Sequence, residues 1–515
     1  MNLVNFINTK SNYIIPVVLF LGSFFIYSYD LEGQPWHGDE INYLGWAGNY
    51  IELIKKGDFS NSCLISIDDC NLLYHIPAHG LTYSPLRMLV IGLPMEIRNV
   101  GGDFYNWSCY YFLCYNPHKA PAIEQMTAGR LLSPLFGALT ISISFMIGKI
   151  LFNRHVGIIF SILFLFYDLW LWYSRTIMTE VHYIFFAMLS FLLLLYAFNT
   201  VNLKIRYFVI SAITFGLALA SKILAVELSV LFIGVILFGW LFKKPSGTSV
   251  SKRHIHKIVF SIFSFFTIAV FSFFLTQPGF YENPLNQILL TKKDMDNYNR
   301  DAWFIGYPTI HGIQIDRMLT VFHYTIFPSF LEHKIPGAYP NSTMILDWYN
   351  PPTYSSIALT LFFFIGFVYL IQKIRGSKNF TPEVVVLIWF ISTFIFALLI
   401  ARDFSLERYL LPFLISIIFI ASYGFWNVMR GIANNKTRIG FVAYFIFAHS
   451  MTALLYWRKI YFSPHELWNN PLHYGTLQES LDNTFTLVVN VVFMGFFLYV
   501  LIIRFRKSLT LSHNA

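Results

Sequence analysis

Runs of about twenty apolar residues recur from one end of this 515-residue chain to the other. No other feature restricts the fold so strongly. A backbone that crosses lipid must satisfy its own N–H and C=O groups, and an α-helix does so within one segment. The runs fall at about 12–29, 131–148, 156–173, 181–200, 207–220, 223–242, 258–276, 354–372, 384–401, 409–427, 439–456 and 485–503. With a mean hydropathy of +0.56 and only 12% charged residues, the chain has too little polar surface to coat a soluble globule. The expectation is an all-α polytopic membrane protein of about 12 transmembrane helices. The first run could be a signal peptide, but Tyr27-Ser-Tyr-Asp-Leu-Glu-Gly33 offers no small-residue cleavage site, so it is read as a helix. No repeat and no low-complexity linker divides the chain, which makes residues 1–515 one membrane domain. No soluble C-terminal domain is expected.

A net charge of +9 would suit nucleic acid in a soluble protein. Here it reads as a topology signal, because Lys and Arg collect in the short cytoplasmic loops of membrane proteins. With the N-terminus inside, the inside segments hold 19 basic residues, among them Lys149, Arg154, Arg430 and Arg438, against a single acid, Glu383. The other 17 lie outside with nearly all of the acids, mostly in long loops that the charge rule does not count. Both termini are therefore expected in the cytoplasm. A bacterial or archaeal plasma membrane is the favoured location, with the endoplasmic reticulum as the alternative.

The non-cytoplasmic side then carries long loops at 30–130 and 277–353 and a shorter one at 457–484. Loops of that length are seldom idle. All four cysteines, Cys63, Cys70, Cys109 and Cys114, fall in the first loop, which points to an oxidising compartment and two disulfides. Three connectivities exist; the local one, Cys63 with Cys70 and Cys109 with Cys114, is preferred, and four free thiols are the competing reading. Within the same loop, Glu40 to Lys55 and Leu86 to Leu93 read as apolar-faced helices too short to span, lying along the membrane surface.

At the start of that loop the run Gln34-Pro-Trp-His-Gly-Asp-Glu-Ile-Asn-Tyr43 sets two carboxylates, Asp39 and Glu40, about ten residues past the first span. Further ionisable groups gather at the outer helix ends. Arg130 opens the second span, Arg175 and Glu180 bracket the turn between the third and fourth, Lys222 sits in the short turn between the fifth and sixth, and Arg408 opens the tenth. Each alone could be a snorkelling or capping charge. Lys222 resists that reading most, since its turn is almost without loop and offers few local partners; an anionic ligand would match it. Asp168 and Glu227, inside spans, read as structural charges paired with a base on a neighbouring helix.

Five segments in order resemble the GT-C polyprenyl-phosphate-sugar-dependent glycosyltransferases, the family of protein O-mannosyltransferases and the lipid A aminoarabinose transferase. They are Asp39-Glu40, Ala128-Gly-Arg-Leu-Leu-Ser-Pro-Leu-Phe-Gly-Ala-Leu139, Tyr173-Ser-Arg-Thr-Ile-Met-Thr-Glu180 followed by Phe185-Phe186, the Lys222 turn, and Glu407-Arg-Tyr-Leu-Leu-Pro412. The resemblance covers 30–230 and returns at 384–425. It implies transfer of a sugar from a polyprenyl or dolichyl phosphate to an acceptor hydroxyl or amine at the outer face, usually with inversion. It casts Asp39 as the essential loop acid, with Glu40 beside it, and Glu180 as a second acid. Arg130, Lys222, Arg175 and Arg408 become candidates for the donor phosphate. The family's His-Pro-Pro or Lys-Pro-Pro element is reduced here to Thr82-Tyr-Ser-Pro-Leu-Arg-Met88, where Arg87 stands in for the missing base. No cofactor is demanded; a divalent metal stays open, since relatives differ on metal use. Expected partners are the lipid-linked sugar donor, a glycan, glycolipid or membrane-proximal protein acceptor, and the bilayer, with no nucleic acid. The competing class is a transporter or lipid flippase, but such chains usually show repeats and broken helices at the bilayer midplane. A non-catalytic assembly subunit is the third reading, and it would tolerate loss of Asp39.

Overall fold

The computed structural model describes residues 3–32, 38–57, 85–100, 109–110, 113–114, 121–198, 203–242, 252–277, 289, 357–377, 381–400, 411–432, 434–445 and 447. Among them the protein is helical, apart from one hairpin of two-residue strands. Among the described residues six helical stretches are long and apolar enough to cross a membrane: Ile123–Leu151, Thr179–Phe198, Ile223–Leu241, Ile255–Leu275, Leu359–Gly376 and Leu411–Arg430. Four shorter apolar helices, Tyr13–Ser28, Arg154–Leu165, Ile205–Ser221 and Pro382–Ala397, coincide with further expected spans. Helical residues 435–445 begin the eleventh, and the twelfth, 485–503, lies outside the described residues. A helical integral membrane protein is the result.

In chain order the helices are α1 (Leu3–Ser28), α2 (Gly38–Lys56), α3 (Pro85–Ile97), α4 (Ile123–Arg130), α5 (Leu132–Leu151), α6 (Arg154–Leu165), α7 (Asp168–Tyr173), α8 (Thr179–Phe198) and α9 (Ile205–Ser221). A 3₁₀ turn, Ile223–Leu228, leads into α10 (Ser229–Phe242), followed by α11 (Lys252–Leu275), α12 (Ile357–Gly376), α13 (Pro382–Ile400) and α14 (Leu411–Arg430). One expected span is corrected: 156–173 is not continuous but breaks between α6 and α7, at Phe166 and Tyr167. A tertiary hydrogen bond accompanies the break. The Tyr27 hydroxyl donates to the Leu165 carbonyl over 3.1 Å, supplying a partner to a group that the helix end leaves without its in-helix donor.

Packing runs outward from α5 and α8. Helix α5 packs on α1, α6 and α8; α8 packs on α9, and α9 on α11. On the other side α6 meets α14, which packs on α12 and α13, and α13 packs on α10. Lipid gives helices little hydrophobic reason to associate, so the contacts use small residues and cross-helix hydroxyls. At the α5–α6 crossing a Cβ on Gly148 would lie 2.7 Å from the Gly157 Cα. Between α8 and α9, Ser190 and Ser211 each donate to the other's carbonyl over 2.7 Å.

Helices α2 and α3 pack against each other, with Lys55 paired to Glu96, and α3 also reaches α4 and α9. Both were expected in the first loop. The hairpin, β1 (Cys109–Tyr110) and β2 (Leu113–Cys114), places Cys109 opposite Cys114. Opposed residues of an antiparallel pair stand about 4.5–5.5 Å apart at Cα, within the range a disulfide takes. The side chains of these cysteines, and all of Cys63 and Cys70, lie outside the described positions.

Candidate functional site

Four chain segments converge at one end of the bundle: the C-terminus of α1, the N-terminus of α2, the junction of α4 with α5, and the 174–178 turn before α8. Two arginines tie them together. Arg175, 1% exposed, donates to the carbonyls of Ile26, Tyr27 and Tyr29 at 3.2, 3.1 and 2.7 Å and to that of Asp30 at 3.0 Å. It thereby caps the negative end of α1 with a fixed cation. Arg130 meets Glu40 in a bidentate pair, Nε to Oε1 at 2.8 Å and Nη2 to Oε2 at 2.7 Å, and its Nη1 donates to the Leu31 carbonyl at 2.8 Å. Glu40 Oε1 also accepts the Ile177 backbone N–H at 2.7 Å. Both side chains are buried, and this planar geometry is the one in which an Arg–carboxylate pair is strongest. Asp39, one position earlier, is therefore held on the N-terminal turn of α2 next to an anchored neighbour; its own side chain lies outside the described positions.

The second constellation joins α8 to the α9 turn. Lys222 takes an extended backbone, φ −162° and ψ 125°, which stops α9 and starts the 3₁₀ turn. Its ammonium donates to Glu180 Oε1 at 2.5 Å, and the Thr179 hydroxyl donates to Glu180 Oε2 at 3.2 Å. The expectation that Lys222 has few partners is corrected: the turn is short, but the neighbouring helix supplies a carboxylate. Glu227, on the same 3₁₀ turn, is 4% exposed and feels the Lys222 charge, while its Oε1 has no hydrogen-bond partner.

A small apolar cavity lies on the same face of α8 as Glu180. Positions 180, 184, 188 and 191 follow the helical repeat, and Ile184, Met188 and Phe191 line the cavity with Leu228, Trp389 and Ile415. The opposite face of α8 carries His182 against Phe136, ring centroids 5.3 Å apart and nearly perpendicular. Arg87, on α3, lies with its guanidinium carbon 4.1 Å from the centre of the Tyr43 ring and within electrostatic reach of His182.

The structure thus brings Glu40 to Arg130, Glu180 to Lys222, and Arg87 to α2. Arg408 lies outside the described residues. His182 went unnoticed in the sequence, although a histidine two residues after an acid in an otherwise apolar run was a readable signal. Among the described residues no group of three or more His, Cys, Asp or Glu side chains is placed to hold a metal ion.

Residues 122–272, which hold Arg130, Arg175, Glu180, His182 and Lys222, match the family model for dolichyl-phosphate-mannose-protein mannosyltransferase. The chain resembles a GT-C glycosyltransferase. Similar solved structures include ArnT from Cupriavidus metallidurans bound to undecaprenyl phosphate, with 15% identity, 95% of this chain and 75% of that chain covered, and a TM-score of 0.46. The S. cerevisiae protein O-mannosyltransferase Pmt1-Pmt2 complex bound to the sugar donor shows 17% identity over 52% of this chain and 33% of that one, with a TM-score of 0.38. The archaeal oligosaccharyltransferase AglB from Archaeoglobus fulgidus, in complex with an inhibitory peptide and a dolichol-phosphate, gives 14%, 93%, 60% and 0.46. No curated protein sequence matches the chain.

Proposed function

We propose that the protein is a membrane glycosyltransferase that moves a sugar from a polyprenyl or dolichyl phosphate to an acceptor at the outer membrane face, with inversion. The observation that carries this reading is the Glu180–Lys222 pair standing on the same helix face as an apolar cavity. A prenyl chain needs apolar side chains along its course and its phosphate a fixed cation; Ile184, Met188 and Phe191 supply the first on the α8 face that carries Glu180, and Lys222 supplies the second. Asp39 serves as the general base. It takes the proton of the acceptor hydroxyl or amine as that atom bonds to the sugar's anomeric carbon, and the carbon–oxygen bond to phosphate breaks with its electron pair on the phosphate. Positioned bases of this kind contribute roughly 10²–10⁴-fold. Lys222 stabilises the charge on the departing phosphate, an effect worth a few kcal/mol, about 2.7–4, by analogy with other oxyanion donors. An arriving phosphate competes with Glu180 for Lys222 and frees Glu180 to act as the second acid.

Glu40, Arg130 and Arg175 we assign to holding the site's segments together, because their polar atoms are spent on one another and on backbone carbonyls. Arg87 and Arg408 complete the set of cations for the donor. A lipid-linked glycan or glycolipid is the favoured acceptor. Twelve spans, cytoplasmic termini and disulfides Cys63–Cys70 and Cys109–Cys114 complete the proposal. The test is glycan and glycolipid mass spectrometry of a deletion strain rescued with wild type or Asp39→Asn at equal membrane level. Loss of one saccharide unit, restored by wild type alone, is the expected result. Full rescue by Asp39→Asn removes the base, and an unchanged glycan profile in the deletion strain favours the transporter.

A further inference from the structure

His182 is 1% exposed, and neither Nδ1 nor Nε2 has a hydrogen-bond partner. Buried polar atoms are nearly always satisfied, and each one left open costs about 1–3 kcal/mol. Two open atoms on one ring mark a place that something else completes. The imidazole stands two residues from Glu180 on α8, with Phe136 of α5 against it and Arg87 of α3 within electrostatic reach. Arg87 lies over the ring of Tyr43, one helical turn along α2 from Asp39. The imidazole thus stands on the face of α8 opposite Glu180, against α5, and Arg87 joins its surroundings to α2, the helix that carries the base.

The surroundings narrow the ligand. Phe136, Phe185 and Phe186 form a mutually packed aromatic wall, with centroids 4.9 Å apart for Phe136–Phe185 and 5.0 Å for Phe185–Phe186. A neutral imidazole presents one donor and one acceptor, whereas a phosphate offers acceptors only. Sugar hydroxyls supply both kinds of group, and the C–H faces of a sugar ring suit an aromatic wall. Phe136 and Phe186 are only partly buried, so entry to the imidazole requires rotation of those rings rather than of the backbone.

We propose that His182 binds the hydroxyl groups of the transferred sugar and so helps decide which sugar the protein accepts. This rests on the transferase reading above. The experiment uses the full chain in detergent and titrates undecaprenyl phosphate, undecaprenyl phosphoryl mannose and undecaprenyl phosphoryl glucose by intrinsic fluorescence. His182→Phe keeps an aromatic ring and removes both open polar atoms; His182→Gln keeps a donor and an acceptor. The expected result is at least a tenfold loss of affinity for the preferred sugar-bearing lipid in His182→Phe, unchanged affinity for undecaprenyl phosphate, an unlowered melting temperature, and recovery to within about threefold in His182→Gln. Equal loss for all lipids, or a lowered melting temperature with no recovery, overturns the proposal in favour of a phosphate contact or a structural role. Unchanged binding of the sugar-bearing lipid also overturns it and leaves the imidazole to an internal water. If the wild-type protein binds none of the three lipids, the transferase reading itself fails and takes this inference with it, so the wild-type titration separates the two failures.

Discussion

The two ends of the bundle are held by different forces. At the end that carries Asp39, the links are charged and buried: Glu40 with Arg130, Glu180 with Lys222, and Arg175 with the last carbonyls of α1. At the opposite end, where α5 turns into α6 and α14 finishes, the links noted among the described residues are aromatic or neutral. Phe152 stacks on Tyr423 at 4.3 Å, His155 on Trp426 at 4.3 Å, and Asn153 caps α6 by accepting from the N–H groups of His155 and Val156. The acid there, Glu383, accepts a single 3.2 Å hydrogen bond from Tyr423. Both ends face the same task of closing a helical bundle near a membrane boundary. Buried ion pairs are an expensive way to do it, since apolar replacements often serve as well. The aromatic end shows that this chain has the cheaper solution available, and the concentration of charge at the other end therefore points to chemistry.

The sharpest way to break that contrast is to remove one partner of the bidentate pair. Arg130→Ala strands Glu40 without its counter-ion, and a loss of about 3–5 kcal/mol is expected, read as a large drop in thermal midpoint and in folded yield from membranes. A loss under 1 kcal/mol would place the two ends on the same footing. Next in size, Gly148→Leu forces a side chain into the α5–α6 crossing, where Gly157 leaves no room. About 1–3 kcal/mol of destabilisation should follow, with glycosyl transfer per folded molecule unchanged. Asn153→Ala removes the α6 cap and should cost about 1 kcal/mol, again without a change in transfer. Smallest in stability but not in activity is Glu180→Gln. It keeps a hydrogen-bonding partner for Lys222, so the melting temperature should move little while transfer falls at least tenfold. Equal losses of stability and transfer in Glu180→Gln would mean that the pair is a strut like its neighbour.

Much of the architecture was legible because hydropathy is a local property. The first ten expected spans fall on apolar helices, and Glu40–Lys55 and Leu86–Leu93 fall on α2 and α3. The break at Phe166–Tyr167 was not legible, since the carbonyl at the helix end finds its partner in the hydroxyl of Tyr27, 138 positions away. The same holds at the site. Asp39, Glu40, Arg130, Arg175, Glu180 and Lys222 stood out as charges at expected helix ends, but their partners did not.

What the sequence by itself determined is a helical membrane chain whose ionisable groups gather at one side, because an apolar run and a charge are each defined by the residue and its nearest neighbours. The tertiary structure decided who meets whom. Glu40 finds Arg130 across 90 positions, Glu180 finds Lys222 across 42, and Arg175 finds the end of α1 across 148 at the Tyr27 carbonyl. It also decided that His182 is buried with both nitrogens open while Glu180, two residues earlier, is paired with Lys222. The physical reason is that a hydrogen bond or ion pair acts over about 3 Å, and only the packing of whole helices brings distant side chains to that distance.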